Sequence, residues 1–175
     1  VMRLSSGSPA QHLSYCTNIH PGETLSEVRT ALATFVPTVK AEVAPNAPFG
    51  VGLRLSQCAA EQLLKPGELA ALRGWLDDHG LYVFTLNGFP YGAFHGARVK
   101  ERVYEPDWRS PARVSYTAQL AAALAGLLPD AVAGSISTVP GAFKPRAAEA
   151  GVIDAIVDGS SVTLPISTPS RARPA

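Results

Sequence analysis

Four short apolar runs, 12–19 (HLSYCTNI), 49–56 (FGVGLRLS), 81–86 (LYVFTL) and 131–139 (AVAGSISTV), are separated by stretches whose apolar residues recur at spacings of three and four. No other feature restricts the fold as much. Strands that alternate with helices are joined by right-handed crossovers, and the sheet such units build is parallel. The expected order is β-α-β-α-β-α-β, with the strands side by side as 1-2-3-4 and the helices over the outer face. A charged fraction of 17% beside 46% hydrophobic residues suits strands buried on both faces.

The connections carry helix punctuation. Thr24 and Glu27 form a capping box, and Leu25, Val28, Leu32, Phe35, Val39 and Val43 follow as one stripe. Pro37 interrupts that stripe, and an interior proline costs about 3 kcal/mol, so a kink or break is expected there. The second connection begins at QCAAEQLL, restarts at Pro66, runs through Leu69, Leu72, Trp75 and Leu76, and stops at Gly80. The third follows Ser110-Pro111 and carries Val114, Leu120, Leu124 and Leu127 before Pro129.

A doubly wound sheet and a (β/α)₈ barrel both satisfy this order. After the first strand, CTNIHPGET has neither the dinucleotide nor the P-loop glycine pattern, which argues against a nucleotide fold. A whole barrel takes about 250 residues, and the positions after 139 cannot supply four more βα units. The chain therefore reads as about the first four βα units of a TIM (β/α)₈ barrel, a partial barrel over 12–145. Residues 1–11 are expected to be a flexible N-terminus and 146–175 an atypical tail. RAAEAGVIDAIVDG allows one short helix there, whereas SSVTLPISTPSRARPA has no periodicity and is expected to be disordered.

Net charge +1 argues against a nucleic-acid partner, and no run of about 18 apolar residues suggests a membrane span. VMRLSSGSPAQ lacks the apolar stretch of a secretory signal. Cys16 and Cys58 are too few for a disulfide framework, so a reducing, cytoplasmic location is expected.

Ligands of parallel α/β folds bind at the carboxyl ends of the strands. Those ends are polar here: Thr17, Asn18 and His20; Arg54 and Ser56; Thr85 and Asn87, leading into TLNGFPYGAFHG; Ser137 and Thr138, then PGAFK with Lys144. His20, Arg54, Asn87 and His95 are the candidate substrate-binding residues. Each also has a structural reading. His20 could cap a turn, Arg54 could pair with Glu23, Asn87-Gly88 is a turn dipeptide, and His95 could simply be solvated. His12 and His79 suit structural roles only. HExxH, CxxC and GxSxG are all missing, and no strand ends in Asp or Glu; Glu23, Glu101, Glu105 and Asp107 lie in loops. No catalytic residue and no metal ligand can be assigned.

HLSYCTNIHPGET, FGVGLRLS, LYVFTLNGFPYGAFHGARVKERVYEPDWRSPARVSYT and GSISTVPGAFK together resemble the amino-terminal half of the metabolite-traffic protein EboE family. That is a bacterial family of xylose-isomerase-like TIM barrels of the sugar-phosphate isomerase/epimerase type. The resemblance covers about 12–145. It implies a barrel that handles a sugar- or cyclitol-like secondary-metabolite precursor, with His20, Arg54, Asn87 and His95 as pocket residues. Relatives continue past PGAFK, and in the wider isomerase group the metal-binding residues come largely from later strands. A divalent metal is thus expected only with the complete barrel, and truncation or a frame change would explain the tail. Three functions compete: a traffic or binding component, a metal-dependent sugar (phosphate) isomerase or epimerase, and a fragment without function. The expected partners are a small-molecule metabolite and a second copy of the chain, paired as a homodimer through the open barrel edges.

Overall fold

A computed structural model describes residues 12–93, 100–130 and 132–161. Its centre is one parallel sheet of β1 (Tyr15–Cys16), β2 (Phe49–Arg54), β3 (Leu81–Asn87) and β4 (Ser135–Ser137), in the expected order β1-β2-β3-β4. The helices are α1 (Leu25–Val43), α2 (Gln57–Leu63), α3 (Glu68–Asp78), α4 (Pro111–Leu127), α5 (Lys144–Ala147) and α6 (Val152–Ser160). The chain is therefore an α/β protein built on a four-stranded parallel sheet.

The core follows from strand alternation. Phe49, Val51 and Leu53 of β2, with Leu81, Val83 and Leu86 of β3, share one buried cluster with residues of α1, α2, α3 and α4. Gly50 and Gly52 alternate onto the opposite face. There, a Cβ on Gly50 would meet the Leu13 carbonyl, Phe84 and Tyr82. The aromatic rings of His12, Tyr82 and Phe84 cluster on that side, with the His12 Nδ1 3.0 Å from the Tyr82 hydroxyl.

Several local expectations need correction. The first strand spans two residues rather than 12–19, because Thr17 ends the ladder: its Oγ1, not a backbone carbonyl, accepts from the Arg54 N–H at 2.8 Å. β2 stops at Arg54, since Ser56 leaves the strand to cap α2 by accepting from the Ala59 N–H. β4 covers 135–137 only. The capping box of α1 is present, but the helix continues through Pro37 without a break. One lost backbone bond is offset by packing, which supplies most helical stability. Leu25, Val28, Leu32 and Val36 are the buried residues of α1, whereas Phe35 (43% exposed) and Val43 (59%) face outward. Pro66 does not enter the next helix, which starts at Glu68 after Gly67 in a left-handed conformation (φ +84°). Gly80 (φ +62°) ends that connection and Ser110-Pro111 opens α4, both as expected. The helical pattern in the tail becomes α6, while 162–175 lie outside the described residues.

Candidate functional site

The carboxyl end of the sheet is shaped by one irregularity in β3. Val83 pairs with Val51, but Gly52 pairs with Thr85, so Phe84 is an extra residue. Regular alternation from Leu81 would turn Thr85 and Asn87 toward the helices. The bulge resets the phase: Leu86 goes into the core, and Thr85 and Asn87 join the face of Gly52 and Arg54. Two rows result across the sheet, Cys16–Gly52–Thr85–Ser135 and Arg54–Asn87–Ser137. Gly52 keeps the first row flat, for a Cβ there would lie 3.2 Å from the Ser14 Oγ and 3.4 Å from the Thr85 methyl.

These rows are hydrogen-bonded along the surface. The Ser135 hydroxyl donates to the Thr85 Oγ1 at 2.9 Å, and the Ser137 hydroxyl to the Asn87 Oδ1 at 3.2 Å. The Cys16 thiol donates to the Asn18 Oδ1 at 2.6 Å. Cys16, Ser135 and Ser137 are exposed, and Thr85 and Asn87 half-buried. The surface holds hydroxyl, thiol and amide groups, with donors and acceptors and no net charge.

Beside this surface, residues 88–92 are gripped from below by two buried arginines. Arg54 is 3% exposed, and its guanidinium donates to the Gly22 carbonyl (2.8 Å), the Glu23 carboxylate (3.0 Å) and the Gly92 carbonyl (2.8 Å). Arg113, fully buried, donates to the carbonyls of Gly88 (2.7 Å), Phe89 (3.2 Å) and Pro106 (2.8 Å). Its guanidinium lies 5.7 Å and 5.3 Å from the ring centroids of Tyr91 and Tyr116. Burial pushes the Arg113 guanidinium below its ordinary pKa, against the charge of Tyr116, Tyr91 and Asp107. The Tyr116 hydroxyl donates to the Leu55 carbonyl at 2.5 Å, and burial pushes this phenol up to about 12. The Gln57 N–H donates to the Tyr91 carbonyl, which fixes the same loop to α2. A glycine- and aromatic-rich stretch is thus held as a platform by its own carbonyls.

The four sequence candidates fare differently. Arg54 is committed to backbone and to Glu23, the pairing its burial called for. Asn87 accepts from the Phe89 N–H (3.0 Å) as a turn residue, yet the same oxygen takes the Ser137 hydroxyl at the surface. His20 leaves that surface. Its ring stacks on Phe35 of α1, with centroids 4.1 Å apart and planes 5° apart, and its Nε2 is 2.6 Å from the Tyr15 hydroxyl. Tyr15 pairs with Val51 and so faces the helices. His20 and Arg54 do share a cavity, but its volume of about 10 Å³ has room for a single water and no metabolite. His95 lies outside the described residues. His12 and His79 pack on Tyr82 and Trp75. Sequence reasoning missed Arg113, although its signal was available: the apolar stripe Tyr116, Leu120, Leu124 and Leu127, extended back by three, lands on that arginine.

Among the described residues, no three His, Cys, Asp or Glu side chains come together as a cation site. Asp107 is buried, but its two oxygens are taken by the Arg109 guanidinium at 2.6–3.0 Å. No described helix is long and apolar enough to cross a membrane. Comparison with family models, curated proteins and solved structures finds no match for this chain.

Proposed function

We propose that this chain forms one side of a (β/α) barrel whose strand carboxyl ends bind a neutral, polyhydroxylated metabolite, a sugar- or cyclitol-like compound, for traffic rather than turnover. The observation that carries the reading is the bulge in β3, which brings Thr85 and Asn87 alongside Ser135 and Ser137 on an exposed uncharged surface. A polyol presents hydroxyls that both donate and accept, and this surface answers in kind. The resemblance of 12–145 to the EboE family supports the same ligand class. The isomerase or epimerase alternative calls for a base and a carboxylate-rich cation site, and among the described residues no three His, Cys, Asp or Glu side chains come together to form the latter. Because β1 and β4 each pair on one side only among the described residues, a second copy joined edge to edge belongs to the proposal.

Saturation-transfer NMR with myo-inositol and xylose tests it. Binding should weaken by about thirtyfold in a Thr85→Val, Ser135→Ala double variant, since two hydroxyl contacts are worth about 1 kcal/mol each. If neither polyol gives a signal, or the variant binds as the parent does, the proposal fails.

A further inference from the structure

On the helical side of the sheet, a cleft of about 670 Å³ separates α1 from α3, in the size range of small-molecule sites. Its floor is apolar: Leu25 and Ala33 from α1, Leu72 and Trp75 from α3. Trp75 is half-buried and braced by the His79 ring, with centroids 4.2 Å apart, so one indole face is held in place. The rim is charged. Arg29 reaches across from α1 and donates to the Glu68 carbonyl (3.0 Å) and carboxylate (2.8 Å), strapping one part of the mouth. Lys65 stands at the same rim, exposed, and its ammonium makes no hydrogen bond or ion pair among the described residues. Two cations against one carboxylate leave the rim with one positive charge over an apolar floor.

We infer that this cleft binds an amphipathic monocarboxylate with a flat or branched apolar body, its carboxylate on Lys65 and Arg29 and its body on Trp75, Leu72, Leu25 and Ala33. Shape and charge select together. An apolar cation is repelled at the rim, and a polyol gains nothing from the floor. A highly charged phosphate finds one surplus charge and no buried donor. This site is separate from the polar surface at the strand ends and does not depend on what binds there.

The test follows the Trp75 indole N–H resonance, assigned with Trp75→Phe, while the full chain is titrated with 2-naphthoate and then with (naphthalen-2-yl)methylammonium. The rings match, and the head groups differ in charge and in hydrogen-bonding sense, an accepting anion against a donating cation. Naphthoate should shift the resonance saturably and the ammonium should not. Lys65→Gln, at an exposed position that leaves the fold intact, should weaken naphthoate about tenfold, as loss of a charge-assisted hydrogen bond does. Ala33→Trp should fill the cleft and abolish the shift. The inference is overturned if naphthoate gives no saturable shift up to about 5 mM, a Kd too weak for a built site. It is equally overturned if the ammonium compound binds as well, or if Lys65→Gln or Ala33→Trp leaves binding unchanged.

Discussion

Replacing Arg113 by alanine should be among the most damaging single changes available in this chain. The side chain is fully buried and donates to three carbonyls, at Gly88, Phe89 and Pro106. Its positive charge is met by carbonyl oxygens and by the faces of Tyr91 and Tyr116; among the described residues it forms no ion pair of its own. Truncation removes every donor and opens a cavity between β3 and α4. Hydrogen bonds to a charged group contribute about 1.5–3 kcal/mol each, and they are not additive. A loss of about 4 kcal/mol is expected. For a domain of this size that lowers Tm by about 8–16 °C. Arg113→Met keeps most of the stem and isolates the missing bonds, so it should fall between the two. Thermal melts followed by circular dichroism, checked for a single cooperative transition, give the answer. If Arg113→Ala melts within about 2 °C of the parent, the arginine does not hold the platform, and the account of residues 88–92 is wrong.

Three further outcomes are expected. Tyr116, whose phenol burial pushes up to about 12, should be the last tyrosine to ionise. Its folded pKa is raised, so its contribution to stability is whole below about pH 10 and is lost between about pH 10 and pH 12. Tyr116→Phe should remove only the highest-pH part of the ultraviolet titration; loss from the lower part would contradict this. At Asp107, burial pushes the carboxyl up, but the side-chain and backbone hydrogen bonds of Arg109 outweigh it, helped by the charges of Arg109 and Arg146. The net pKa is below the ordinary carboxylate value, so the stability it gives is present above about pH 4 and fades as pH falls through the folded value. Melting temperature should therefore drop more steeply below about pH 4 in the parent than in Asp107→Asn, and parallel curves would refute the assignment. Gly88→Ala should cost about 1–3 kcal/mol by overpacking, because its Cβ would run into the Leu120 side chain and crowd the Ser137 carbonyl. Urea midpoints equal to the parent's would count against that packing.

The parallel sheet and its strand order were legible because crossover geometry leaves few choices once strands and helices alternate. The helix caps at Thr24 and Ser110 were legible because capping is local chemistry. What stayed hidden was non-local. No pattern in LYVFTLN shows that Phe84 is bulged, since the bulge depends on how β3 meets β2 and not on β3 itself. The faces of Thr85 and Asn87 were for that reason unreadable. The apolar run overstates β1 because the Thr17 hydroxyl replaces a backbone acceptor only once Arg54 lies opposite. His20 belongs with the strand ends by its place in the chain, but its ring stacks on Phe35, an outward residue of α1.

Both buried arginines spend their charge on the protein itself, and that constrains what each face can recognise. Arg54 and Arg113 together donate to five backbone carbonyls, in 22, 88, 89, 92 and 106, and to the Glu23 carboxylate. An anionic ligand at the strand ends would have to compete with those acceptors for donors that are already buried and oriented, giving up contacts of about 1.5–3 kcal/mol each. Apart from Arg54, the polar side chains of the two rows are hydroxyls, a thiol and an amide, which favour an uncharged polyol over a phosphorylated one. The surplus cation sits on the other side of the sheet, at Lys65, where the floor is apolar. On the two proposals, the same core would keep two ligand chemistries apart: a neutral hydroxylated compound on the polar face and an apolar carboxylate between α1 and α3. The Arg113→Ala variant discriminates the two. It should disturb polyol binding by releasing residues 88–92 beside Asn87, while leaving naphthoate binding at Trp75 unchanged wherever the protein remains folded.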